Sequence, residues 1–212
     1  MSAKRTRAKD LRRRIGHSPE LRTLVVFCEG EGSEPDYIRG LQRLPQVAGN
    51  TALTIEISTK HGVPLTLVDL AVKKLKDPEI DECWCVFDVE WPRHHPGLAE
   101  ALARARGAGV QVAVSNPCFE LWLILHYKEC SAFLNTDQAE RKSRSLDRRE
   151  GKRVSAASYM SRIGDAVRRA EALDRRHEGN GTVFPENNPS SGMYLFIRAV
   201  GADKTPAPGS DG

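Results

Sequence analysis

The sequence predicts an α/β fold with a mostly parallel central sheet flanked by helices, followed by a basic helical C-terminal extension. Three observations lead there. Apolar runs of strand length alternate with stretches of helical spacing through residues 22–127, the order of a sheet whose crossovers cover both faces. Two of those runs are continuously apolar, as strands buried on both sides are. Past residue 128 the composition turns polar and basic, so the extension is a different kind of structure.

The elements follow in order. Residues 22–29 carry Leu24, Val25, Val26 and Phe27 without interruption and read as the first strand, which Gly30-Glu31-Gly32-Ser33 stops. Ser33 suits an N-cap, Pro35 a first helical turn, and Glu34 and Asp36 the positive helix end, so a helix is predicted to about Leu44. Residues 51–58 alternate Leu53, Ile55 and Ile57 against Thr54 and Glu56, a strand, and residues 64–76 read as an amphipathic helix. A second buried strand is predicted at 83–89, a helix at 98–106, a strand at 110–114, and a helix at 118–127 begun by Asn116-Pro117. Residues 137–151 are polar and charge-dense, 156–176 read as a basic helix with Tyr159, Ile163, Val167 and Ala170 on one face, and 192–200 return an apolar segment to the core. One domain is therefore expected over residues 19–200, including the basic segment 137–178. Low-complexity tails, expected to be disordered, occupy 1–18 and 201–212.

Hydrophobic residues at 40% and charged residues at 28% of 212 exclude a wholly disordered, collagenous or coiled-coil chain. The longest apolar stretch, near 119–127, falls far short of the roughly 20 residues that cross a bilayer. The basic N-terminus has no apolar run behind it, so a cytoplasmic location without membrane attachment is expected. Five cysteines form no CxxC pair and read as buried free thiols. The net charge of +4 conceals a segregation: residues 1–14 hold seven Lys/Arg against one acid, residues 141–176 twelve against five, and the remainder is strongly acidic. Such basic segments suit a polyanion such as nucleic acid, and equally a solvated helix face. Arg168 and Arg169 are the candidate nucleic-acid contacts.

In open α/β sheets ligands collect at the carboxyl ends of strands. Three such ends carry acids: Cys28-Glu29-Gly30, Phe87-Asp88-Val89-Glu90, and Asn116-Pro117-Cys118-Phe119-Glu120. Alternation along an extended segment puts Asp88 and Glu90 on one side. Clustered carboxylates repel unless a cation neutralises them, and oxygen ligands without a His/Cys set favour Mg²⁺ or Mn²⁺. The Gly30-Glu31-Gly32-Ser33 loop lacks the GK[ST] of a P-loop, so nucleoside triphosphate hydrolysis is not expected.

A Glu-Gly closing the first strand and a later strand ending in paired acids resemble the Toprim domain. More closely, Cys28-Glu29-Gly30-Glu31-Gly32-Ser33-Glu34-Pro35-Asp36-Tyr37, Val86-Phe87-Asp88-Val89-Glu90, the run from Ser115 to His126 (SNPCFELWLILH) and Asn188-Pro189-Ser190-Ser191 resemble the RloB family. The resemblance implies a Toprim-like fold and a part in bacterial antiphage or abortive-infection defence. It also implies a possible partner ATPase of the chromosome-segregation type and, less directly, nuclease activity on DNA or RNA. By position, Glu29 resembles the Toprim glutamate, and Asp88 with Glu90 its paired acids; these three are the candidate catalytic and metal residues. Gly30, Glu34, Asn116, Glu120 and His126 are further motif positions. Glu90 stands where aspartate is usual, a longer arm that alters metal spacing, and Ser33 where threonine is expected. The alternative is a catalytically inactive Toprim-like module that binds nucleic acid or a partner.

Other residues invite plainer readings. Glu34 is expected to complement the helix dipole. His94 and His95 follow Glu90 closely enough to enter the site but read first as a surface loop pair, Trp84, Trp91 and Trp122 as core or interface anchors, and His126 as a core histidine or a helix C-terminal cation. Glu120 and His126, six apart on a helix, face different sides, and the sequence offers no obvious catalytic lysine.

Overall fold

A computed structural model describes residues 21–29, 32–57 and 64–204; Gly30 and the tails over 1–18 and 205–212 lie outside the described residues. Five strands form one sheet in the order β2-β1-β3-β4-β5: β1 (Arg22–Cys28), β2 (Thr51–Ile57), β3 (Glu82–Asp88), β4 (Gln111–Asn116) and β5 (Ser190–Ser191). The first four are parallel, and the two-residue β5 closes one edge antiparallel to β4. This is the α/β, mostly parallel, helix-flanked architecture the sequence predicts, and it is consistent with a Toprim-like fold.

The period-2 rule of a strand sorts the core into two layers. Leu24, Val26 and Cys28 of β1 and Trp84 and Val86 of β3 point to one face. There α1 (Ser33–Gln42), α5 (Glu120–Tyr127), α8 (Ile163–Gly179) and α9 (Met193–Val200) cover them. Val25 and Phe27, with Cys83, Cys85 and Phe87, point to the other, under α3 (Pro64–Lys74) and α4 (Leu98–Ala108). All five cysteines are buried and free. No helix among the described residues is long and apolar enough to cross a membrane.

The structure corrects several boundaries. The first predicted helix is α1, ending at Gln42, and a short helix the sequence did not predict, α2 (Pro45–Ala48), follows it with Pro45 in its first turn. Gly32, not Ser33, is the N-cap of α1; the Ser33 hydroxyl is used elsewhere. The charge-dense stretch contains α6 (Thr136–Asp147), begun by a capping box in which Asn135 and Gln138 bond each other's backbone N–H at 2.8 and 2.9 Å. The predicted basic helix is broken into α7 (Ala157–Met160) and α8. Gly201 to Lys204 form a turn that closes α9, with Ala202 buried.

Two contacts draw the extension back over the sheet's carboxyl edge. A Cβ at Gly40 would stand 2.2 Å from Ala156 Cβ, so α1 meets the approach to α7 only because position 40 has no side chain. Asp36 then accepts from Arg153 Nε at 2.6 Å and from the Val154 N–H at 3.2 Å. The segment from Arg149 to Arg153 is thereby held against α1.

His126 is a core histidine, 1% exposed among Tyr37, Trp122 and Tyr159. Its Nδ1 faces the Trp122 carbonyl at 2.9 Å, which only accepts, so Nδ1 carries the proton and Nε2 accepts from the Tyr37 hydroxyl at 3.0 Å. Burial lowers its pKa from 6.5 to about 4. The native state therefore binds fewer protons than the unfolded chain, and the contribution is complete above pH 6.5 and lost as pH falls from 6.5 towards 4. The span corresponds to roughly 3 kcal/mol. Urea denaturation of wild type and His126→Gln at pH 7 and pH 4 should show the gap between them closing by about that amount; a pH-independent gap would contradict the assignment.

Candidate functional site

Parallel strands deliver their carboxyl ends to one edge, and there the chain builds a cavity of about 330 Å³. Asp88 is the last residue of β3, Glu29 follows β1, Glu34 lies in the first turn of α1, and Glu120 opens α5. Glu90 lies two residues past β3, Thr136 and Glu140 come from α6, and Lys152 reaches in from the segment before α7. The five acids among the candidate site and motif residues, Glu29, Glu34, Asp88, Glu90 and Glu120, therefore line one space.

The carboxylates differ in how they are held. Asp88 Oδ1 is buried and has no hydrogen-bond partner. Burial first, then the charges of Glu34 and Glu120, push its pKa well up, against the Phe119 N–H that bonds its carboxylate. Glu34 is raised to about 7, by burial first and then by Glu120 and Glu29; its own backbone N–H and Lys152 pull the other way. Glu120 is tethered, accepting from the Ser33 hydroxyl at 2.8 Å with Arg149 Nη2 at 3.6 Å. Glu29 faces His95 Nε2 at 3.3 Å, and Glu90 stands 3.8 Å from the same nitrogen. The bond to Glu29 raises the pKa of His95, outweighing its partial burial.

A family model described as RloB-like protein matches residues 24–200. The chain belongs to the RloB-like family. No curated protein and no solved structure matches it. For this RloB-like chain, the match spans every residue that lines the cavity, from Glu29 to Lys152.

Within the RloB-like motifs the residues divide by role. Glu29, Asp88, Glu90, Glu34 and Glu120 meet at the cavity. Asn116 does not line it; its amide accepts from Trp91 Nε1 at 2.7 Å and donates to the Pro185 carbonyl at 2.7 Å, holding two loops at the rim. His126 is away in the aromatic core. Arg168 and Arg169 line a separate cavity of about 310 Å³ beside the carboxyl end of α5, with Arg176. Their charges are partly used internally: Arg169 donates to the Leu125 carbonyl at 2.6 Å and Arg168 to Asp165 at 2.7 Å.

Three readings change. Glu34 does lie in the first turn of α1, where its carboxylate bonds its own backbone N–H, but it is also enclosed beside Asp88, because α1 starts inside the cavity. His95 is not a surface histidine; its N–H donates to the Val89 carbonyl at 3.2 Å, which folds the loop after β3 back onto Glu29. Asp88 and Glu90 do not share a side through strand alternation, since β3 ends at Asp88 and Glu90 has a left-handed backbone with φ 61. Both still line the cavity, with the Glu90 side chain 47% exposed. Lys152 and Arg149 were missed, because nothing local in the charge run separates them from ten other basic residues. Lys152 is the one cation among the described residues that line the cavity.

Whether a divalent ion suits the site is tested by its donors. The set is all oxygen and negatively charged, and the unpartnered Asp88 Oδ1 at its floor lacks the positive charge that burial demands. Among the described residues no three His, Cys, Asp or Glu side chains converge closely enough to form a finished ligand cage. The residues fit a hard cation in kind, with the cage open.

Proposed function

We propose that the cavity is the centre of a Mg²⁺- or Mn²⁺-dependent nuclease, acting in the cytoplasm as an effector of bacterial antiphage or abortive-infection defence. The observation that carries this reading is the buried, unpartnered Asp88 Oδ1 among carboxylates at the carboxyl edge of a parallel sheet. A fold keeps such a group, at a cost of a few kcal/mol, where a ligand completes it. Asp88, Glu90 and Glu29 would hold the ion. When bound, it polarises phosphate oxygens and lowers the pKa of water.

The chain's own groups supply the rest. Where Asp88 and Glu90 alone hold the ion, Glu29, bonded to His95, would instead take the proton of the attacking water. Water oxygen bonds to phosphorus, the bond to the leaving sugar oxygen breaks, and that oxygen receives a proton. Lys152, which lines the same cavity and whose charge acts on Glu34, would offset the carboxylates' repulsion towards an entering phosphate. Arg168 and Arg169 would hold the nucleic acid further along, or face the acidic surface of a partner ATPase of the chromosome-segregation type.

The test is incubation with labelled single-stranded DNA, duplex DNA and transfer RNA in Mg²⁺, Mn²⁺ or EDTA, beside Glu29→Ala. Metal-dependent products are expected, reduced at least about 100-fold in the variant with its circular dichroism unchanged. Undiminished cleavage by Glu29→Ala would remove it from the mechanism. The open cage and the outward Glu90 favour a second reading, a catalytically inactive module that binds nucleic acid or a partner. Base or phosphate binding with no products, even with the partner ATPase added, would select it.

A further inference from the structure

We propose that the rim of the acidic cavity is a base-stacking ledge, so that the substrate is single-stranded nucleic acid entering with its bases unpaired. The inference rests on the phosphodiesterase reading and names the substrate class of that same site. Trp91, the residue after Glu90, is its hub. Its ring meets His94 edge-on with centroids 4.4 Å apart and Phe133 with centroids 5.4 Å apart. It is fixed on three sides: Nε1 donates to Asn116 at 2.7 Å, its N–H donates to Thr136 Oγ1 at 2.9 Å, and its carbonyl accepts the Thr136 N–H at 3.3 Å. Thr136 itself lines the acidic cavity.

The outer rings are not covered. Phe133 is 57% exposed, and His94 is exposed. Beside His94 opens a cavity of about 370 Å³ walled by His94, His95, Phe184 and Pro185, the size of a small-molecule site. Phe184 is itself 36% exposed. Asn116, bonded to both the Trp91 ring and the Pro185 carbonyl, fixes the two walls relative to each other. His95 joins this apolar space to the acidic one, since the imidazole that lines it lies 3.3 Å from Glu29.

Exposed aromatics grouped around a fixed tryptophan at the edge of a polar cleft mark an interaction surface. The ligand the cleft itself selects is a phosphodiester, and the part of a nucleic acid that covers an aromatic ring is the face of a base. In a duplex those faces are already stacked on one another; in a single strand they are free. Arg93, exposed between Pro92 and His94, supplies positive charge for the backbone at the same edge.

Binding of labelled dT12, U12, an abasic 12-mer and a 12-base-pair duplex to Asp88→Asn in Mg²⁺ tests the ledge without cleavage. Both base-bearing single strands are expected to bind at least about tenfold more tightly than the abasic strand and to quench Trp91 fluorescence; Trp84 and Trp122 are buried. Phe133→Ala and His94→Ala should each weaken the single strands by about 5- to 100-fold and leave the abasic strand unchanged, with Phe133→Tyr restoring affinity. Equal affinity for abasic and base-bearing strands, or unchanged affinity in both alanine variants, overturns the ledge, and points to a protein partner if the aromatics prove dispensable for nucleic acid. Base-dependent binding to a wild type that cleaves nothing supports the ledge while removing the nuclease reading. Cleavage with base-independent binding does the reverse.

Discussion

Asp88→Asn should melt at a higher temperature than the wild type in EDTA and lose most of its cleavage in Mg²⁺. Asparagine keeps the shape and a carbonyl for the Phe119 N–H, and removes the charge that burial, Glu34 and Glu120 oppose. A carboxyl whose folded pKa is raised binds its proton longer in the native state, so ionising it costs stability as pH climbs above the unfolded value near 4. The advantage of the variant should therefore be small at pH 4 and grow towards neutrality. Relief of about 1–2 kcal/mol corresponds to some 2–8 °C in a chain of this size. Metal reverses the ranking: binding to the native state raises the wild-type melting temperature with concentration, and the variant should lose most of that rise. Cleavage should fall by about 10²–10³-fold or more. Scanning calorimetry at pH 4, 5.5 and 7, with EDTA and with Mn²⁺, reads both effects. A variant less stable than wild type at pH 7, or one with the full metal-induced rise, would mean that Asp88 is an ordinary core acid.

The order of strands and helices was legible because burial writes itself locally. Leu24 to Phe27 and Cys83 to Phe87 are apolar at every position, and a strand with helices on both faces needs that. The helix α6 was not legible, since its stabilising features are a capping box and ion pairs such as Arg144 with Glu140 rather than an apolar stripe. The break between α7 and α8 was hidden for a related reason. Tyr159 and Ile163 keep a helical spacing across it, and both are buried.

The acids of the site were legible because topology, not sequence distance, brings strand ends together. Glu29, Asp88 and Glu120 sit at predictable points of their elements. What the sequence ranked second, as with His95, or did not single out, as with Lys152, were the groups that reach the site by loops. His95 arrives because its N–H returns to the Val89 carbonyl, and Lys152 because Gly40 and Asp36 fasten the segment around it to α1. Neither contact has a local signature. The excess of positive charge in the extension read as a polyanion footprint, yet Arg149, Arg153, Arg169 and Arg176 all spend hydrogen bonds inside the molecule. Segregated charge here serves the fold as well as any ligand.

Arg149→Ala is expected to be among the most damaging single changes in the chain. Its side chain is 9% exposed and joins three elements. Nη1 donates to Asp147 at 2.6 Å and to Ser143 at 2.9 Å, and Nη2 lies 3.6 Å from Glu120. Asp147, 5% exposed, also accepts from the Tyr159 hydroxyl, so it cannot turn outwards to water without breaking that bond. Removing the guanidinium leaves two enclosed carboxylates without their cation, a loss of about 3–5 kcal/mol. The same loss should loosen Glu120 at the wall of the cavity, leaving it with Ser33 alone. A second substitution separates the orphaned charge from the lost packing. Glu120→Gln should be mild in the wild type and should return roughly 1 kcal/mol in the Arg149→Ala background, because it removes one of the charges the arginine had balanced. Chemical denaturation of the four proteins measures that coupling. Strict additivity would mean that Arg149 holds α6 and α7 together through Asp147 alone and that Glu120 owes its position to Ser33.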